Sequence, residues 1–226
     1  MPVPNPVRLF HITAVENLDK ICEAGSLVSK NLCAEVGIDY QNIAHRGAQG
    51  ARAIRALPDP PGGVIHDYVP FYFAPRSPML SAIENGKVKD CHWRQADIVH
   101  FETTVSNICS DGREFVFYDR NATLPYSEPY TDLARLDVIA WDLLMDSPSL
   151  DGYCKYFFDR PSVPKHADRM EKRQAEFLVK DVVPLEQFTR VGVIDEQRAV
   201  EVIAIFARNR VKLPVQVMRN WYFLGQ

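Results

Sequence analysis

Apolar and polar positions follow two rhythms along the chain. Leu9-Phe10-His11-Ile12 reads as a short strand; Val15, Leu18, Ile21 and Cys22 then recur at helical spacing up to Gly25, a usual helix stop. Between them, Thr13-Ala14-Val15-Glu16 matches a capping box, with the Thr13 hydroxyl accepting from the third helical amide and Glu16 reaching back. His11 is thereby predicted at a strand end, one turn from a helix N-terminus. Free amides and the helix dipole there favour a ribose or phosphate oxygen. A purely structural histidine is the other reading.

Residues 31 to 57 lack clear periodicity and carry Gly37, Gly47 and Gly50, which predicts either a surface loop or an irregular segment closing over a ligand. Pro58-Asp59-Pro60-Pro61-Gly62-Gly63 is a turn signal. Val64 to Phe73 is aromatic and β-prone, with Pro70 arguing for an edge position or a bulge; Tyr68 and Tyr72 are read as core or as a platform for a flat ring. Ser77-Pro78 opens a short helix that Gly86 ends. Two strands, Ala96–Val105 and Glu114–Tyr118, are joined through Ser110-Asp111-Gly112, and a helical piece is predicted from Asp132 to Met145.

Near the end, a charged helix-like run (Asp168 to Gln174) turns directly into the apolar strand Glu176–Val179. A carboxylate at that junction sits on a rigid element and suits a fixed geometry with a substrate, though a rim glutamate is the plainer reading. A strand near Val191–Ile194, a helix from Glu196 to Arg208 and a strand Val215–Met218 follow, and Trp221-Tyr222-Phe223 is apolar enough to dock on the body. Strands and helices mix without regular βαβ alternation. The class expected is α+β with a mixed or antiparallel sheet, in one domain spanning residues 1–226.

Composition narrows the function classes. The apolar fraction is 46% and the charged fraction 24%, ordinary for a soluble protein. No apolar run nears the ~20 residues of a membrane span, and the first residues have neither the basic start nor the apolar core of a signal peptide. Cys22, Cys33, Cys91, Cys109 and Cys154 are scattered, which reads as reduced cytoplasmic thiols and neither a disulfide frame nor a metal site. The net charge of −3 excludes a generally basic nucleic-acid coat but not a local groove. Two basic clusters, Arg46, Arg52, Arg55 and Lys165, Arg169, Lys172, Arg173, fit a groove or solvated helix faces. The chain has no P-loop, GxGxxG, HExxH or GxSxG, and Glu171 and Glu176 are too far apart in register to face together on a helix.

Five stretches in order resemble the DarT family of DNA ADP-ribosyltransferase toxins. They are Phe10-His11-Ile12-Thr13 with Asn17-Leu18 and Ile21; Gly62 to Phe73 (containing HDYVPFYF) with Pro75, Ser77, Pro78, Met79 and Leu80; Phe115-Val116-Phe117 with Asp119; Arg173-Gln174-Ala175-Glu176-Phe177-Leu178; and Trp221-Tyr222. The resemblance implies a mono-ADP-ribosyltransferase fold in which a split mixed sheet with flanking helices grips NAD. It implies transfer of ADP-ribose to a base of single-stranded DNA, typically thymine, without a metal, and a separate macrodomain antitoxin (DarG) as partner.

By the same resemblance Glu176 and Arg52 are the catalytic pair. His11, Ile12, Thr13 and Tyr72 hold NAD, with Lys20 and Val28 as weaker contacts. Ala34 to Ile54 closes over it, and about Asp119 to Glu176 binds the DNA, with Met79, Asn121, Arg169 and Arg173 as the residues expected to touch it. Asn121 stands where family members often have histidine, and asparagine can pair with a base edge but cannot shuttle a proton. The residue types suit the chemistry. A carboxylate stabilises positive charge building on the ribose, and a guanidinium binds diphosphate through bidentate bonds.

Overall fold

The computed structural model describes residues 1–41, 43 and 46–224, without the side chains of 46–48. Asn42, Ala44, His45 and the Arg46 side chain, parts of the expected closing segment and basic cluster, lie outside the described residues.

The strands are β1 (Arg8–Ala14), β2 (Ser26–Val28), β3 (Tyr68–Tyr72), β4 (Ile98–Thr104), β5 (Phe115–Tyr118), β6 (Pro129–Tyr130), β7 (Ser149–Leu150), β8 (Tyr153–Cys154), β9 (Glu176–Lys180), β10 (Val182–Pro184), β11 (Arg190–Val193) and β12 (Val215–Val217). The helices are α1 (Leu18–Ala24), α2 (Lys30–Val36), α3 (Arg46–Ile54), α4 (Pro78–Glu84), α5 (Val105–Cys109), α6 (Trp141–Leu144), α7 (Arg169–Lys172) and α8 (Glu196–Arg208). One large sheet runs β12-β11-β4-β1-β3-β9-β5-β6, with β11–β12 parallel and the other neighbours antiparallel. This is the mixed α+β sheet that the sequence predicts.

Two-residue periodicity sorts the side chains of the central strands. Phe71, Phe117, Phe177 and Val179 join the main core on one face, while Tyr68, Val116, Tyr118 and Leu178 form a smaller core on the other. Glu176 and Leu178 share a face, as do Tyr68, Pro70 and Tyr72, so the strand registers carry the polar groups towards the smaller core. At the far edge Trp221 packs so closely on Gly192 that a Cβ there would lie 2.2 Å from the indole. The docking expected of the last aromatics is found, and Trp221 is fully buried.

Three local expectations are corrected. The Thr13–Glu16 capping box is not made: Thr13 stays in β1 and takes a 3.0 Å bond from Asn17 Nδ2, while Glu16 accepts from Trp93 Nε1. His11 is accordingly a mid-strand residue. Residues 31–57 hold all but the first residue of α2 and the whole of α3, where glycines and charges mask the helical period. The strands expected before and after Gly112 are found as β4 and β5, with α5 between them and β1 and β3 separating them in the sheet. Finally, Pro70 is inside the sheet. It needs neither edge nor bulge, because β1 and β3 pair only at Phe10 and Tyr72 and diverge beyond. Proline brings no amide to that opening, so nothing is lost there.

Candidate active site

The divergence of β1 from β3 opens a cleft of about 770 Å³, within the usual range of ligand pockets. Strand β1 lines it with His11, Ile12 and Thr13, and β3 with Pro70 and Tyr72. The end of β2 gives Val28, α3 gives Gln49 and Arg52, α4 gives Met79, and the first residue of β9 is Glu176. Asn121 and Gln174 lie beside it.

Glu176 is 3% exposed and no rim residue. Its Oε2 accepts from Arg52 NH1 at 2.7 Å and its Oε1 from the Ala122 backbone N–H at 3.2 Å. Strand and loop thus fix the carboxylate from two directions. Arg52 NH2 is buried and has no hydrogen-bond partner among the described residues, which leaves a charge-assisted donor for a ligand oxygen. Tyr72 stands opposite Glu176 in the β3–β9 ladder, and burial, then the Glu176 charge, pushes its phenol up, so it remains a neutral donor. Its hydroxyl meets Met79 Sδ at 3.6 Å.

His11 turns Nδ1 to the Pro70 carbonyl at 2.8 Å, and burial lowers its pKa to about 4. The neighbouring polar group was not anticipated from sequence. Lys30 Nζ bonds Gln49 Oε1 at 2.6 Å, and His66 Nε2 lies 3.0 Å from the same oxygen. Burial, then Lys30 and Arg52, lower the His66 pKa to about 4. Lys30 and Arg52 therefore bring positive charge to this side of the cleft, Arg52 while paired with Glu176. The only hint was His66 within the HDYVPFYF block.

Three expected contacts are not brought to the cleft. Lys20 lies beyond the Gly37–Asp39 stretch, bonded to the Asp39 carbonyl. Arg169 is 2% exposed and gives its Nε and NH2 to Phe158 O, while Arg173 is 3% exposed and donates to the carbonyls of Leu143, Leu144, Arg76 and Cys154. The two arginines expected at DNA are corrected to buried ties between backbone segments. Among the described residues no group of three or more His, Cys, Asp or Glu is placed to hold a metal.

The residues fit NAD. A flat aromatic, a carboxylate in reach of a ribose hydroxyl and two cations for a diphosphate converge on one cleft. Comparison with known proteins agrees. The solved structure of Thermus sp. 2.9 DarT in complex with ADP-ribosylated ssDNA matches with a TM-score of 0.86 and 31% identity, covering 99% of each chain. The same enzyme in complex with NAD+ matches with a TM-score of 0.81 over 98% of this chain and all of that one. A DNA ADP-ribosyl transferase of Thermus aquaticus is 35% identical over 97% of this chain and 90% of its own. Fold and cleft define an NAD-dependent DNA ADP-ribosyltransferase. Residues 10–223 match the family model described as "ssDNA thymidine ADP-ribosyltransferase, DarT", and the chain belongs to the DarT family.

Proposed function

We propose that Glu176 and Arg52 are the catalytic pair of this transferase and that the β1–β3 cleft holds NAD while a thymine of single-stranded DNA meets it beside Asn121. The observation that carries this is the buried 2.7 Å Arg52–Glu176 ion pair at the end of the opening. His11, Ile12, Thr13, Val28 and Tyr72 line the NAD side; Met79 and Asn121 stand towards the base.

The reaction is a pentosyl transfer. The bond from ribose carbon to nicotinamide breaks, nicotinamide leaves with the bonding electrons, and a bond to the base forms as the proton on the attacking base atom is released to solvent. No phosphoryl bond changes. Positive charge gathers on the ribose in between, and a carboxylate already fixed by two donors stabilises it without reorganising. The Arg52 guanidinium offers donors and no acceptor, so its role is to anchor a phosphate or ribose oxygen and orient Glu176. Single-stranded DNA supplies an unstacked base at little cost.

The chain acts as one domain, in the cytoplasm, as a toxin held in check by a separate macrodomain antitoxin; membership of the DarT family supports this. Incubation with labelled NAD and separate pools of single-stranded DNA, duplex DNA, RNA and protein tests the reading. Label in single-stranded DNA, on thymine by mass spectrometry, is expected. Label only in RNA or protein, or on guanine, overturns it.

A further inference from the structure

An exposed tyrosine is usually a mobile one, but Tyr126 is not. It is 57% exposed, yet its hydroxyl donates to Glu171 Oε1 at 2.6 Å and its ring lies 5.5 Å from the Arg120 guanidinium carbon. Arg120 is itself held by Asp119 through three bonds of 2.8–3.2 Å, and it approaches Glu171 at 3.5 Å. One ring face therefore rests on a fixed cation and the ring remains largely open to solvent. Such a side chain has already lost the rotamer freedom that binding would otherwise remove.

The platform is continuous with the cleft along two chain segments. Arg120 precedes Asn121, and Glu171 is three residues from Gln174; Asn121 and Gln174 line the cleft and bond each other at 2.9 Å. The same turn begins at Ala122, whose N–H holds Glu176, and continues through Leu124 N to Asn121 O and Ser127 N to Leu124 O. Tyr126 is four positions after Ala122, a span of at most ~14 Å.

Charge selects the occupant. Asp119 and Glu171 flank Arg120, so two carboxylates oppose one cation, and a phosphate is repelled. A flat uncharged ring is favoured, and every base has such a face. We propose that Tyr126, seated on Arg120, is the stacking subsite for the base adjacent to the one that is modified. This rests on the reading of single-stranded DNA as substrate and adds where its neighbouring nucleotide is held.

The test uses three single-stranded oligonucleotides: one intact, one abasic on the 5′ side of the target thymine, one abasic on the 3′ side. With the wild-type enzyme, one of the two abasic strands should lose roughly tenfold in kcat/KM. Tyr126→Ala should lose roughly tenfold on the intact strand and show no further loss on the abasic one. Tyr126→Phe, which keeps the ring, should retain the wild-type pattern, and thermal melts check that both variants fold. An undiminished abasic penalty in Tyr126→Ala, or no penalty in the wild type, overturns the subsite alone. Failure of the wild type to modify any intact strand overturns the substrate reading and the subsite with it.

Discussion

The Nδ1 of His11 lies 2.8 Å from the Pro70 carbonyl oxygen, across the gap where β1 and β3 diverge. A carbonyl can only accept, so Nδ1 carries the proton and Nε2 keeps its lone pair. The cleft thus presents a neutral imidazole acceptor, suited to a ribose hydroxyl, where a regular ladder would have presented backbone.

Acid should destabilise the fold through buried histidines. Burial lowers the pKa of His11, His66 and His100 to about 4, below the ordinary 6.5. Between those values the unfolded chain binds protons that the folded chain refuses, so stability falls as pH falls from about 6.5 to about 4. Asp19 and Asp146, whose pKa values lie below 3.8, add their loss only at lower pH. Urea midpoints from pH 7 to pH 4.5 should decline steadily; a flat profile contradicts this.

Glu176→Gln keeps an oxygen for the Ala122 amide but removes the charge. Transfer should drop at least about a hundredfold, while NAD affinity by calorimetry stays within a few fold, because the charge acts chiefly in the transition state. Near wild-type transfer would remove Glu176 from the chemistry.

Arg52→Ala removes both the Glu176 partner and the free NH2 donor. NAD binding should weaken by ~1.5–3 kcal/mol, with transfer falling further. In the wild type, NAD should slow hydrogen exchange in residues 34–41 and in α3, described stretches of the segment 34–54 expected to close over it. Unchanged exchange there would refute closure even with Arg52 essential.

Arg173→Ala should unfold the protein more easily and leave its DNA contacts alone. Four carbonyls lose a donor in a dry site, a destabilisation of roughly 2–4 kcal/mol. In the cold, folded variant, oligonucleotide affinity should show the wild-type salt dependence. A shallower salt slope would mean that Arg173 meets a phosphate after all.

The sequence revealed what local rules govern. The α8 helix spans the residues 196–208 that the sequence predicts, and β9 begins at Glu176 as the change from charged to apolar residues indicates. Arg52 and Glu176 are 124 residues apart, and their ion pair depends on a fold that no window of sequence contains. Resemblance to a family supplied that pairing. Periodicity failed in α2 and α3, where glycine and polar residues mask the apolar stripe, and at Arg169 and Arg173, where charge suggested solvent. Their partners are main-chain carbonyls of Arg76, Leu143, Leu144, Cys154 and Phe158, which leave no trace in sequence.

Pro70 gives the opening between β1 and β3 a further meaning. A sheet tends to close like a zip, each amide finding the next carbonyl, and a gap left open by chance would close again or recruit a stray strand. Here the slider is jammed. The strand lacks the amide that would take the next tooth, and the facing carbonyl is already occupied by an imidazole from the other side. The opening is therefore a built-in dislocation, present before any ligand arrives. Binding need not prise strands apart, and whatever adjustment accompanies it falls to the helices and loops around the mouth.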